Sequence, residues 1–145
     1  MARVLRSSLG DGTFHVSTVA VDKTPAFLDD VERVTFLRLL GDCVRRFDWT
    51  LYAYCLMTTH YHLVIEAPLD RLSRGMHRLN FMYARHFNDR HRRRGRLFAD
   101  RFASFVIKDE EHFERACEYV FQNPVKAGLC VRPEEWRWSS YGSPF

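Results

Sequence analysis

The sequence lacks any apolar run approaching the roughly 18 residues that a membrane-spanning helix needs. Residues 1–6 (MARVLR) also lack the apolar stretch of a secretory signal. Internal repeats, low-complexity tracts and linker-like segments are missing as well. We therefore expect no membrane span and no leader, and we interpret residues 1–145 as one domain.

Cysteine is scarce, and no two cysteines stand in a Cys-x-x-Cys spacing. Three of the four lie within apolar runs, where a free cysteine behaves as a small buried hydrophobe. The four are Cys43, Cys55, Cys117 and Cys130. This usage favours free thiols in the reducing cytoplasm of a cell.

Aromatic and basic residues are well represented. A hydrophobic fraction of 46% and an aromatic fraction of 14% are typical of an ordered globular protein. The net charge of +4 modestly favours a polyanionic partner.

Arginine is concentrated in residues 90–96 (RHRRRGR), which contain Arg90, Arg92, Arg93, Arg94 and Arg96. The planar guanidinium suits phosphate oxygens, and phosphate contacts dominate nucleic-acid affinity. We therefore predict that this segment binds a nucleic-acid backbone. The alternative is a solvated loop without a partner.

A histidine pair, His60 and His62, enters a β-branched apolar run in residues 60–65. Alternate residues of a strand point to the same face, so both imidazoles lie together. Two neutral imidazoles so placed can bind one divalent ion. The pair alone is weak support, because two surface histidines arise often at this spacing.

The apolar patterns predict four strands, at residues 13–21, 49–57, 60–66 and 103–108. They predict three helices, at residues 30–47, 69–88 and 110–122, the last closed by Pro124 and Gly128. For the first helix the expected apolar stripe is Val31, Val34, Leu37, Leu40, Val44 and Phe47. The order β-α-β-β-α-β, then a helix, predicts an α+β, ferredoxin-like antiparallel sheet with helices on one face.

Helical geometry distinguishes two tyrosines. The core face of the last helix is expected to comprise Phe113, Ala116, Cys117, Val120 and Phe121. Tyr119 falls roughly 130° from the centre of that face, with Asn123 one turn later. Tyr83 instead lies within an apolar stripe of the second long helix, as a structural tyrosine does. The alternative for Tyr119 is a surface aromatic without a role.

A metal-bound histidine pair, a free tyrosine and an arginine-rich segment together suggest phosphoryl transfer to tyrosine. The ion would polarise a scissile phosphate, and the Tyr119 oxygen would attack in line. Asn123 is a candidate third ligand, through its side-chain oxygen.

Several segments resemble a known family, the REP-associated tyrosine transposases, within the single-strand HUH (histidine–hydrophobic–histidine) transposases. Residues 14–16 (FHV) are similar to its opening strand, and residues 56–63 (LMTTHYHL) to its Leu-Met-Pro-Asn-His-x-His-Leu signature. Residues 95–102 (GRLFADRF) are close to its Gly-x-Leu-Phe-x-x-Arg segment. Residues 119–128 (YVFQNPVKAG) match its Tyr-x-x-x-Asn-Pro-Val-x-x-Gly block, and residues 138–141 (WSSY) its closing motif.

The resemblance implies that Tyr119 is the nucleophile and that His60, His62 and Asn123 hold Mg²⁺ or Mn²⁺. It implies a bacterial enzyme that cleaves and rejoins single-stranded DNA at imperfect palindromes folded as hairpins. It also adds Arg101 to the predicted DNA-contacting arginines. The expected partner is single-stranded or hairpin DNA, with the protein acting as a monomer or a homodimer.

Two departures from the family pattern stand out. Residues 58–59 (TT) replace the usual Pro-Asn before the histidines, which removes no ligand. Residues 17–22 (STVAVD) lack the Arg-Gly that often follows the first strand, which bears on DNA contacts and not on the chemistry.

Two other functions stay open. One is a catalytically idle protein that binds hairpin DNA or RNA through the same surface. The other is a metal-dependent hydrolase that uses the histidine pair and a water, for which Tyr119 would be dispensable.

Overall fold

A four-stranded antiparallel sheet is the centre of the fold in the computed structural model, which describes residues 12–99 and 101–141. The strands are β1 (Thr13–Val19), β2 (Thr50–Leu56), β3 (His60–Glu66) and β4 (Ala103–Val106), in the spatial order β2-β3-β1-β4. The helices are α1 (Asp30–Arg46), α2 (Leu69–His91) and α3 (Glu110–Lys126). This arrangement confirms the α+β, ferredoxin-like prediction, with β3 inside the sheet. Residues 1–6, on which the expectation about a leader rests, and Asp100 of the 95–102 motif lie outside the described residues.

Different helices cover the two faces of the sheet. Tyr61, Leu63 and Ile65 of β3 enter the apolar core that α1 and α2 form with one face. Val64 enters a second core, formed with α3 on the opposite face. Since alternate strand residues share a face, His60 and His62 lie on the α3 face with Val64.

The predicted stripe of α1 is wrong at its beginning. Val31 and Val34 are exposed, whereas Glu32 is fully buried together with Phe36 and Leu40. Periodicity places a glutamate outside, because burying a charge without partners is costly. Here the side chains of Arg90 and His91, at the end of α2, contact the carboxylate, so the buried face is rotated by one residue.

The last helix does not end before Pro124, as its sequence predicts. α3 continues to Lys126, with Pro124 buried inside its final turns. The Ala127 N–H still donates to the Asn123 carbonyl at 3.0 Å, so the proline removes a single donor close to the helix end. Gly128, with φ of 77°, then takes the left-handed conformation that ends the segment.

Three other element ends differ by two or more residues from the predicted ones. β1 ends at Val19, before residue 21, where the chain turns to residues 97–99: the Val21 N–H donates to the Leu97 carbonyl, and the Val19 carbonyl accepts from Ala99. β4 ends at Val106, before residue 108, because its partner β1 begins at Thr13. α2 extends beyond residue 88 to His91.

The aromatic tail, residues 136–141, packs against β2 at the edge of the sheet. The Leu56 N–H donates to the Trp138 carbonyl at 2.8 Å, and the Trp136 indole donates to the Leu56 carbonyl at 2.9 Å. No disulfide joins two cysteines within the described residues, and burial raises the pKa of Cys55 to about 12. Within the described residues, no helix is both long enough and apolar enough to cross a bilayer.

Candidate active site

The histidine pair lies on the α3 face of β3, where each ring has a defined partner. His62 is 6% exposed, and its Nδ1 lies 3.1 Å from Nε2 of His15 on the neighbouring strand β1. Nδ1 of His60 lies 3.2 Å from the Thr59 hydroxyl. Nδ1 of each histidine therefore has a partner within the protein, which orients the ring. Thr59, one of the departures from the family pattern, thus supports the adjacent histidine.

Both histidines are held neutral. Burial, together with repulsion from the nearby His15 and His60, lowers the pKa of His62 to about 3. Burial also lowers the pKa of His60, opposed by a hydrogen bond with the Asn123 side chain. A neutral imidazole is the form that binds metal ions.

Tyr119 projects from α3 over the same face of the sheet. Its ring centroid lies 5.6 Å from that of His62 and 5.5 Å from that of His15, all within one chain. The side chain is 45% exposed, whereas Tyr83 is fully buried and donates its hydroxyl to the Ala26 carbonyl. The predicted positions of the two tyrosines relative to the core are therefore confirmed.

Asn123 lies one helical turn after Tyr119, as predicted. Its Nδ2 donates to the Tyr119 carbonyl at 3.1 Å. The Asn123 side chain also makes a hydrogen bond with His60. Two imidazole rings and one side-chain amide thus lie near Tyr119.

This donor set fits a divalent ion that completes its shell with water and substrate oxygens. The described residues contain no group of three or more His, Cys, Asp or Glu side chains placed to hold a metal. A site here accordingly depends on His60, His62 and the Asn123 oxygen. Magnesium commonly uses few protein ligands and keeps several waters together with substrate phosphate oxygens.

Sequence reasoning missed two residues of this site. His15 lies between His62 and Tyr119 and contacts both rings. Its neighbours Phe14 and Val16 are buried on one face of β1, so the alternation of strand residues places His15 on the other face. The Lys126 ammonium lies 5.3 Å from the Tyr119 ring centroid. Lys126 follows Tyr119 by seven residues, which is about two helical turns, so the spacing predicts that the two side chains lie on the same side of α3.

Arg90, predicted to contact DNA, is engaged within the protein. Its guanidinium donates to both carboxylate oxygens of Asp29, at 2.9 and 2.8 Å, and lies 3.1 Å from the buried Glu32 carboxylate. The hydrogen bond from Arg90 lowers the pKa of Asp29 to about 2. Arg90 therefore joins the start of α1 to the end of α2.

The other arginines of the segment differ in their contacts. Arg93 stabilises the loop of residues 92–96 by donating to the Asn88 side chain at 3.0 Å and to the Arg96 carbonyl at 2.9 Å. Arg92, Arg94, Arg96 and Arg101 are exposed, as is the ion-paired Arg90. The loop reaches the sheet where the Val21 N–H donates to the Leu97 carbonyl, near the His60 end of β3.

The free energy of unfolding is expected to fall as pH falls from about 6.5 toward 3. In this range an unfolded His62 binds a proton that the folded site excludes, because its pKa drops from 6.5 to about 3 on folding. The limiting slope is about 1.4 kcal/mol per pH unit. Urea unfolding in EDTA across this range, for wild type and for His62→Gln, measures it. The stability difference between the two proteins should shrink as pH falls, and a constant difference would contradict the prediction.

Comparisons with known proteins show the family to which this chain belongs. The family model described as transposase IS200 like matches residues 9–123, which include the histidine pair, Tyr119 and Asn123. A Haemophilus influenzae protein named a REP-associated tyrosine transposase is 22% identical over 152 residues, covering 97% of this chain and 86% of that protein.

Two solved structures share the fold. A REP-associated tyrosine transposase bound to a REP hairpin matches with a TM-score of 0.77 at 17% identity, over 98% of this chain and 84% of its own. A protein from Deinococcus radiodurans that carries the name transposase matches with a TM-score of 0.56 at 15% identity, over 85% and 94%. The resemblance expected from the sequence motifs is confirmed.

Proposed function

This chain belongs to the IS200-like transposase family, and from that premise we propose that it cleaves and rejoins single-stranded DNA through Tyr119. The observation that carries the proposal is the position of Tyr119, which is 45% exposed yet has its ring centroid 5.6 Å from that of His62. The proposed nucleophile and the candidate metal ligands thus lie close together in one chain.

In the proposed reaction, one phosphodiester linkage is exchanged for another. The Tyr119 oxygen forms a bond to a backbone phosphorus, and the bond from that phosphorus to the 3′-oxygen breaks. The 3′-oxygen takes up a proton and leaves as a hydroxyl, and the other fragment remains linked through a 5′-phosphotyrosine. Attack by a 3′-hydroxyl on this linkage rejoins the strand and frees the tyrosine.

His60, His62 and Asn123 would hold Mg²⁺ or Mn²⁺. Such an ion, when bound, supplies stabilisation of the negative charge that develops on the phosphate. The chain's own contribution is to keep both imidazoles neutral and oriented, through His15 and Thr59. The Lys126 ammonium, 5.3 Å from the centroid of the Tyr119 ring, would place a positive charge beside the phosphate under attack.

We propose hairpin DNA with a single-stranded flank as the substrate. Support comes from the relative of the same fold that is bound to a REP hairpin, and from the exposed arginines Arg92, Arg94, Arg96 and Arg101. Because Arg90 is occupied by Asp29 and Glu32, it would act on DNA only by holding α2 and this loop in place.

The test is a covalent-adduct assay on hairpins drawn from repeats that flank the gene. Each hairpin is labelled at either its 5′ or its 3′ end and incubated with Mn²⁺, with Mg²⁺ or with EDTA. A denaturing protein gel should show an adduct that carries the 3′ label only, because the 5′ fragment leaves with a free hydroxyl. The adduct should be absent in EDTA and should return when the ion is restored.

Two results would reject the proposal and select another function. Nicking without an adduct would indicate a metal-dependent hydrolase that attacks with water. Tight hairpin binding, with neither nicking nor an adduct under any metal, would indicate an idle binding protein.

A further inference from the structure

An exposed phenylalanine lies on the uncovered part of the sheet face that bears the candidate active site. Phe105 is 60% exposed although it belongs to a strand of a folded sheet. It pairs directly with His15 across the β1–β4 ladder, so the two side chains lie on the same face. α3 packs over β2 and β3 and leaves the β4 side of this face open.

Phe105 is connected to Tyr119 through a single intervening ring. The Phe105 ring centroid lies 6.3 Å from that of His15, which lies 5.5 Å from that of Tyr119. The three rings therefore form a row across the sheet, from α3 toward the β4 edge. A strand of DNA whose phosphate lies at Tyr119 and which continues toward β4 brings its next base over Phe105.

The side chains beside Phe105 are small, which leaves room for a planar ligand. The next pair on this face of the ladder is Ser17 opposite Ala103, two small side chains. Ser17 is half-buried and Ala103 is exposed. The phenylalanine ring thus stands above a shallow floor that a flat base can approach.

The charges around β4 suit a phosphodiester backbone. Arg101 precedes the strand and Lys108 follows it, and both side chains are exposed. Lys126 lies at the Tyr119 end of the row of rings. An aromatic ring with cations on either side is the combination that single-stranded nucleic-acid sites use, because bases stack and phosphates are neutralised.

We propose that Phe105 stacks a base of the single-stranded DNA immediately beside the phosphate that Tyr119 attacks. The inference rests on the proposed function and adds a positioning residue to it. Phe105 touches no reacting atom; it fixes the flanking nucleotide so that the phosphate is presented to Tyr119. Any base offers a face for stacking, so the contact selects single strands and not a sequence.

The experiment measures adduct formation and base stacking in wild type and in Phe105→Ala, Phe105→Trp and Val106→Ala. Val106 is the matched control because it is exposed on the same strand but points to the opposite face. The hairpin substrates carry 2-aminopurine at one of the nucleotides that flank the cleaved phosphate. Stacking on an aromatic ring quenches the fluorescence of this base.

The DNA concentration for half-maximal adduct formation should rise about tenfold in Phe105→Ala, the effect of losing one base stack. Quenching of 2-aminopurine at one flanking position should be lost in Phe105→Ala. Both properties should be retained in Phe105→Trp and in Val106→Ala.

Unchanged half-maximal concentration and quenching in Phe105→Ala, with a normal adduct in wild type, would overturn the inference alone. A change of oligomeric state in Phe105→Ala, with DNA binding unaltered, would also overturn it, because the face would then bind a second copy. If wild type forms no adduct, the proposed function fails, while the fluorescence in Tyr119→Phe still reports whether Phe105 stacks a base.

Discussion

The Tyr119→Phe variant is expected to form no covalent adduct with DNA and to cleave it at least about 10³-fold more slowly than wild type. Phenylalanine keeps the ring that packs beside His15 and His62 but removes the oxygen that forms the bond to phosphorus. The fold should not change, because Tyr119 is exposed and lies outside the apolar core of α3. The measurement is the single-turnover rate of adduct formation and of nicking on a labelled hairpin.

Tyr141→Phe is the matched control for this variant. Tyr141 is another exposed tyrosine, which packs against Phe121 at a ring-centroid distance of 5.2 Å. Its loss of a hydroxyl should leave the adduct and the cleavage rate as in wild type. Hairpin affinity should be similar in all three proteins, since none of the exposed arginines is altered. An adduct in Tyr119→Phe would show that another residue is the nucleophile, and undiminished nicking without an adduct would select the hydrolase.

The Glu32→Ala variant is expected to lower the free energy of unfolding by about 3 kcal/mol. The buried carboxylate accepts from the Leu28 N–H at 2.7 Å and lies 3.1 Å from the Arg90 guanidinium, and it also contacts His91. Its removal leaves Arg90, His91 and one backbone donor without their partner. We place the effect at the low end of the range for buried pairs, because Arg90 and His91 are 35% and 31% exposed and water can solvate them.

Urea unfolding followed by circular dichroism measures this loss, with Asp30→Ala as the control. Asp30 lies in the same first turn of α1, and its ion pair with Arg137, at 3.4 Å, is exposed on both sides. The control should lose less than about 1 kcal/mol. Equal losses in the two variants would show that burial of Glu32 adds nothing to its contacts.

Much of the fold was predictable because side-chain direction repeats every two residues in a strand and every 3.6 residues in a helix. The alternation in residues 60–65 places His60 and His62 on one face, and the spacing in residues 110–122 turns Tyr119 away from the core. Both predictions are confirmed by the burial of neighbouring residues. The same reasoning failed for α1, where Glu32 is buried. A prediction from periodicity places each charged residue at the surface, because the sequence pattern does not show which charges have partners.

The sequence by itself determined the element order, the directions of side chains within each element, and the residues that resemble a transposase site. These depend on local geometry, which neighbouring residues in the chain set. Only the tertiary structure decided that His15 and Tyr119 meet His62, that Arg90 is held by Asp29 and Glu32, and that Phe105 stays exposed. Such contacts join residues far apart in the chain, and the register of the strands and the packing of helices on the sheet bring them together.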